Sequence, residues 1–220
     1  MPRETVKAKR ERAIEIAQRM NEHYPAAECA LHYWGDPFKL TIAVLLSAQT
    51  TDKGVNKVTP ALWERYPTVA DLASANPADV EEIIRTIGFY RTKAANVVKC
   101  AQLVVSEYGG QIPRDIDELQ KLPGVGRKTA NVVLNEAFGI VEGIAVDTHV
   151  FRIAHKLKLA GPSADTPAKT EDALLKLYPR EWWGPINHQW VLFGRETCIA
   201  RRPKCGECFI CDLCPNCGKA

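Results

Sequence analysis

The chain has 220 residues, 46% hydrophobic and 25% charged, which is ordinary globular composition with enough length for one large core or two smaller ones. A formal net charge of +3 is only a weak pointer to a polyanionic partner, and the basic runs Lys7-Ala8-Lys9-Arg10-Glu11-Arg12 and Arg201-Arg202-Pro203-Lys204 read equally well as solvated faces. The charged stretch Met1–Met20 has no apolar run of signal-peptide type, and Ile42–Leu46 is far too short to span a bilayer, so a cytoplasmic protein is expected.

In chain order the pattern predicts helix after helix and no convincing strand alternation. Residues 4–22 carry apolar positions at Ala13, Ile14, Ile16, Ala17 and Met20, a helical spacing. Asp36-Pro37-Phe38 opens a strongly apolar helix expected to reach about Gln49, and Asp52–Tyr66 forms the next. Asn76-Pro77 starts another, ended by Gly88. Thr92–Tyr108 is a long amphipathic helix closed by Gly109-Gly110. A short helix over Asp115–Lys121 leads through Pro123-Gly124-Val125-Gly126 into a helix over Lys128–Phe138. Further helices fit a start at Asp147, and the spans Thr166–Leu177 and Asn187–Gly194. The fold class is all-α.

Leu122-Pro123-Gly124-Val125-Gly126-Arg127-Lys128-Thr129-Ala130 is the most informative stretch. Two helices joined by a Gly-x-Gly turn let the backbone come close to a ligand and leave amide N–H groups at the next helix start, where the dipole also favours an anion. Such a helix-hairpin-helix element grips a DNA backbone without reading sequence, so Gly124, Val125, Gly126 and Thr129 are candidate DNA contacts. Lys128 falls in the first turn, where the positive end of the dipole disfavours an ammonium and partial burial disfavours it further. A neutral amine is the form that attacks a sugar C1′, expels the base and forms a Schiff base.

Asp147 in Val146-Asp147-Thr148-His149-Val150 has two readings, a plain helix N-cap and a carboxylate that stabilises charge developing on the deoxyribose or helps deprotonate the amine. Spacing alone does not choose between them. His149 reads as structural. Six of the eight cysteines lie in the last 23 residues. In a reducing compartment that clustering argues for metal rather than disulfides. Cys198-x6-Cys205-x2-Cys208-x5-Cys214 is one four-thiolate reading, suited to a [4Fe–4S] cluster or a zinc site. Cys211 and Cys217 continue the same two-residue spacing, so spacing leaves the ligand choice open, while Cys29 and Cys100 read as ordinary buried residues. Arg201, Arg202 and Lys204 lie in the loop that a metal would fix, and would offer cations to phosphates.

Together these motifs resemble the endonuclease III family, as do Leu45-Leu46-Ser47-Ala48-Gln49-Thr50-Thr51-Asp52 and Thr86-Ile87-Gly88, over roughly residues 10–214. The resemblance implies a six-helix barrel over 30–140 and an iron–sulfur cluster domain built from 1–29 and 141–220. It implies a monomeric DNA glycosylase and AP lyase acting on duplex DNA that holds oxidised or damaged pyrimidines or abasic sites, found with the nucleoid. Lys128 would be the Schiff-base nucleophile, Asp147 its carboxylate partner, and Cys198, Cys205, Cys208 and Cys214 the cluster ligands, with Cys211 and Cys217 as extra thiols. Gln49 would fill the gap left by the flipped nucleotide, and Phe89 would stand as the wedge where leucine is common. The hairpin turn of such proteins can hold a monovalent cation, sodium or potassium. An adenine-mismatch glycosylase is disfavoured by Lys128, by Val44 where a glutamate is expected, and by the chain's end three residues after Cys217. A non-catalytic binding module would need neither Lys128 nor Asp147.

Overall fold

Helix starts follow the capping side chains that the sequence supplies. In the computed structural model, which describes residues 4–218, α1 (Val6–His23) begins behind Thr5, whose hydroxyl accepts the N–H of Ala8. Asp36 does the same for α2 (Pro37–Leu46), Thr51 for α3 (Asp52–Arg65), Asn76 for α5 (Pro77–Ile84) and Asp115 for α7 (Ile116–Lys121). Each such cap is worth about 1 kcal/mol. Thr68 and Asp71 form a reciprocal capping box on the five-residue α4 (Val69–Ala73), which apolar periodicity misses because one turn is shorter than the pattern's repeat. α6 (Tyr90–Tyr108) and α8 (Arg127–Phe138) lack side-chain caps. α9 (Thr148–Lys156) starts on Asp147, α10 (Pro167–Leu175) on Thr166, and α11 runs Trp183–Glu196. No strand occurs among the described residues.

The chain divides into two compact units, one of residues Cys29–Glu142 and one of the two terminal stretches that end at Glu28 and resume at Gly143. The Cys29–Glu142 unit holds α2 to α8. Within it α2 packs against α3, α6 and α8, while α6 also receives α4 and α5, and α7 lies on α8. Phe38 and every residue from Leu40 to Leu46 are buried, so α2 is apolar on nearly every side, with Lys39 alone charged, as a helix enclosed by others must be. Truncating Ile42, which is fully buried, would cost about 2–5 kcal/mol. α2 stops at Leu46 rather than at Gln49, because Gln49 is left-handed (φ 53°) and cannot continue a right-handed helix. At the other end of α6, Gly109 and Gly110 are both left-handed and the Gly110 N–H donates to Val104 O, closing the helix as the glycine pair predicts.

In the other unit, α1, α9, α10 and α11 enclose Ile16, Met20, Ile153, Trp190 and Phe193. The cysteine-rich tail joins this core through the fully buried Ile210 and through Phe209, whose ring stacks on His23 at 4.2 Å between centroids. Two arginines of α1, seven residues apart and so on one face, tie the tail down. Arg12 Nη1 donates to Leu157 O (2.9 Å) and Leu213 O (3.1 Å), and Arg19 Nη1 to Phe209 O (3.1 Å) and Asp212 Oδ1 (2.7 Å). The N-terminal basic run is thus not uniformly a solvated face, since the Arg12 side chain is only 13% exposed.

Candidate active site and cluster site

The hairpin follows from the end of α7. Leu122 is extended, and the Val125 N–H turns back onto Leu122 O at 3.0 Å. Gly124 sits at φ +82°, and a Cβ there would stand 2.9 Å from Leu45 Cδ1, so both conformation and space demand glycine. Gly126 is exposed, with no atom within 4 Å of where its Cβ would be. It precedes α8, and no side chain caps that helix. Thr129 is half-buried in the first turn, and Lys128, the second residue of α8, is half-buried as well. Among the hairpin residues expected at DNA, Val125 is turned inward: its side chain is buried and its N–H is committed to Leu122.

Two further turns of the same unit flank Gly124. Gln49 (φ 53°) and Phe89 (φ 56°) are left-handed without being glycine, a conformation that costs each roughly 1–2 kcal/mol. Phe89 is 64% exposed and Gln49 is exposed too. Together with Leu45, Ala48, Thr92, Lys93, Asn96 and Gly124 they line an open pocket of about 220 Å³. Phe89 stands immediately before α6, which begins at Tyr90, two residues before the pattern places it. Lys93 is a pocket residue that sequence reasoning missed. It is almost fully buried, and its Nζ donates to Thr50 Oγ1 at 2.8 Å.

In the terminal unit, Asp147 caps α9 through one oxygen, Oδ1 accepting the N–H groups of both His149 and Val150 at 2.8 Å. Oδ2 has no hydrogen-bond partner among the described residues, so the cap leaves half of the carboxylate available. The buried run Ile144-Ala145-Val146 anchors the approach to Asp147, and Asn187 Nδ2 of α11 donates to Ala145 O at 2.7 Å. That buried amide fixes the chain two residues before the carboxylate. His149 is held by packing, since a Cβ on Gly194 would meet its Nδ1 at 2.5 Å.

Cys198, Cys205, Cys208 and Cys214 are free thiols lining one enclosed cavity with Phe193 and Ile210. Burial pushes the thiols of Cys198 and Cys208 up, and neighbouring thiols of the set add to the effect. Four thiols around one largely apolar cavity are the ligand type of an iron–sulfur cluster, although among the described residues no three His, Cys, Asp or Glu side chains stand close enough to grip a single metal ion. Arg152 of α9 donates to Cys198 O and lies 3.7 Å from its Sγ, a contact that no sequence spacing signals. Cys211 and Cys217 are joined to each other as a disulfide rather than left as extra thiols. Cys217 lines the same cavity, so it is the disulfide that sets this pair apart from the four free thiols, which spacing could not do. Arg201, Arg202 and Lys204 are exposed on the loop between Cys198 and Cys205. Cys100 is fully buried, whereas Cys29 is only half-buried.

Residues 42–180 match the family model of the HhH-GPD superfamily base excision DNA repair protein, and residues 198–214 match that of the iron-sulfur binding domain of endonuclease III. The second match begins and ends on two of the four converging cysteines. The chain is 45% identical to endonuclease III of Synechocystis sp. over 209 residues, covering 95% of this chain and 94% of that protein. It is 45% identical to endonuclease III of Escherichia coli K12 over 208 residues, covering 94% and 95%. The chain therefore belongs to the endonuclease III family, and carries the [4Fe–4S] cluster domain of that family. Among solved structures, a trapped endonuclease III–DNA covalent intermediate with an estranged adenine superposes with a TM-score of 0.90 at 43% identity, covering 96% of this chain and 97% of that one.

Proposed function

We propose that the protein is a base-excision repair DNA glycosylase and AP lyase that removes oxidised or damaged pyrimidines from duplex DNA. The observation that carries this reading is the hairpin. An exposed, uncapped Gly-x-Gly turn sets a half-buried lysine, Lys128, on the first turn of α8. The α8 N-terminus takes a backbone phosphate, and the neutral Lys128 amine attacks C1′ of the flipped nucleotide. The C1′–N bond breaks and the base leaves with a proton from the amine; the nitrogen lone pair then opens the C1′–O4′ bond, O4′ takes a proton, and a protonated C1′ Schiff base remains. Abstraction of a 2′ proton then expels the 3′ phosphate by β-elimination, and water releases the enzyme. Asp147 is the carboxylate of the reaction, stabilising positive charge on the sugar and moving protons through the oxygen that its cap leaves available. Gln49 fills the vacated position in the duplex, and Phe89 is the wedge between base pairs.

Cys198, Cys205, Cys208 and Cys214 hold the [4Fe–4S] cluster, which supplies iron–thiolate bonds that fix the tail. That presents Arg201, Arg202 and Lys204 to phosphates. No described helix is long and apolar enough to cross a membrane. A DNA substrate fits a cytoplasmic protein found with the nucleoid. The test is borohydride trapping on duplex DNA carrying thymine glycol. A covalent adduct formed by the wild type and lost in Lys128→Ala supports the mechanism and the nucleophile together. Free base with an intact strand would point to a water-using glycosylase, and DNA binding with neither product would leave only a binding module.

A further inference from the structure

A buried ammonium without a carboxylate is costly to keep, and replacing it by an apolar group of similar shape is commonly neutral or stabilising. Lys93 is such a group. It is 5% exposed, no carboxylate pairs with it among the described residues, and burial lowers its pKa. The one hydrogen bond of its ammonium among the described residues goes to Thr50 Oγ1, on the residue directly after left-handed Gln49. On the other side, its own N–H donates to the carbonyl of left-handed Phe89 at 3.0 Å. Lys93 therefore touches both strained turns through different atoms, and lines the pocket between them. Gly54 closes the Gln49 turn from behind, since a Cβ there would meet Thr50 Cγ2 at 3.2 Å. Strained residues persist only where the surroundings over-determine them, and here the surroundings are Lys93 and Gly54.

We propose that Lys93 is a positioning residue for lesion recognition, its ammonium holding Thr50 so that Gln49 stays in the left-handed turn from which it enters the duplex. This rests on the role given to Gln49 above. Lys93 itself need not touch DNA.

The test uses the full-length protein with its cluster, in the variants Lys93→Met, Thr50→Val and Thr50→Ser. Thermal melting gives stability. Equilibrium binding is measured to a duplex with a tetrahydrofuran abasic analogue and to the same duplex undamaged, and fluorescence of 2-aminopurine opposite the analogue reports gap filling. Lys93→Met is expected to melt no lower than wild type, yet to lose roughly tenfold in affinity for the abasic duplex and to blunt the fluorescence change. Thr50→Val should reproduce the loss, the double variant should add nothing to it, and Thr50→Ser should bind as wild type does. Abasic-duplex affinity unchanged in Lys93→Met, or losses that add in the double variant, would overturn the proposal. So would equal losses on both duplexes. The wild-type borohydride adduct keeps the two readings apart. Without it the enzymatic function fails, whereas with it a normal Lys93→Met variant removes only the positioning role.

Discussion

At the scale of single residues, Asp147 caps a helix by observation and is the carboxylate of the reaction by proposal. Its Oδ1 caps α9 on two amides while Oδ2 has no partner among the described residues. Asparagine caps a helix about as well as aspartate but carries no charge. Asp147→Asn should therefore melt within about 2 °C of wild type while its single-turnover lyase rate falls by at least about 100-fold. Asp147→Ala should lose both, with about 1 kcal/mol of stability gone in denaturant titration. Equal activity in Asp147→Asn and wild type would reduce the residue to a cap. The local sequence made the cap legible, because Asp-Thr-His before an apolar helical pattern is a start signal. The carboxylate role needed the resemblance. Asn187, Arg152 and Lys93 were not legible at all, since each acts across 42 to 46 positions of chain on a backbone carbonyl or a hydroxyl. No local spacing encodes such contacts.

Two glycines of one element make opposite predictions, although the sequence shows them as equals in a Gly-x-Gly turn. Gly124 is left-handed, and a methyl group there would press on the buried Leu45 side chain. Gly124→Ala should cost about 2 kcal/mol or more in urea titration. Gly126 has an extended backbone (φ −96°, ψ 175°) and open space at its Cβ position. Gly126→Ala should leave stability within about 0.5 kcal/mol but, on the proposed hairpin contact, weaken duplex binding by roughly tenfold, because the new methyl would obstruct a phosphate at the α8 amides. Fluorescence anisotropy with any duplex would show it, and unchanged affinity would remove the hairpin from the interface. The starts of the side-chain-capped helices were mostly legible for the same reason as the turn, because caps and glycines are local; α6 and α11, which have no side-chain cap, begin two and four residues before the pattern places them, at Tyr90 rather than Thr92 and at Trp183 rather than Asn187. The helix end at Leu46 was not. Ser47-Ala48-Gln49 holds no glycine or proline to break a helix, and it is the left-handed Gln49 that stops it. On α1, the pattern showed the apolar face but not the carbonyls of Leu157 and Leu213 that Arg12 bonds. Arg12→Ala should cost about 2–3 kcal/mol, seen as an earlier loss of the cluster's visible absorbance on heating.

For the whole molecule, charge is nearly balanced at +3, so a polyanion cannot be held by a diffuse field and must be met by local cations and amides. The exposed Arg201, Arg202 and Lys204 loop and the uncapped start of α8 are two such places, one in each compact unit. The unit division itself was not a matter of composition, because neither boundary carries a polar or proline-rich linker, and the terminal stretches join through packing such as α1 on α11. Phosphate contacts and lesion contacts should separate experimentally. Each phosphate neutralised adds about −0.9 to the slope of log K against log salt, independent of sequence or damage. Arg202→Ala should flatten that slope by about 1 and weaken lesion-containing and undamaged duplexes alike. Gln49→Ala should leave the slope as it is and weaken only the duplex with an abasic analogue, because an uncharged side chain entering a gap releases no counterion. A salt titration of both variants on both duplexes gives four slopes. If Arg202→Ala leaves the slope unchanged, the cluster loop does not face DNA and its cations only solvate the tail; if Gln49→Ala weakens both duplexes equally, the turn that Lys93 braces is not where the lesion is read.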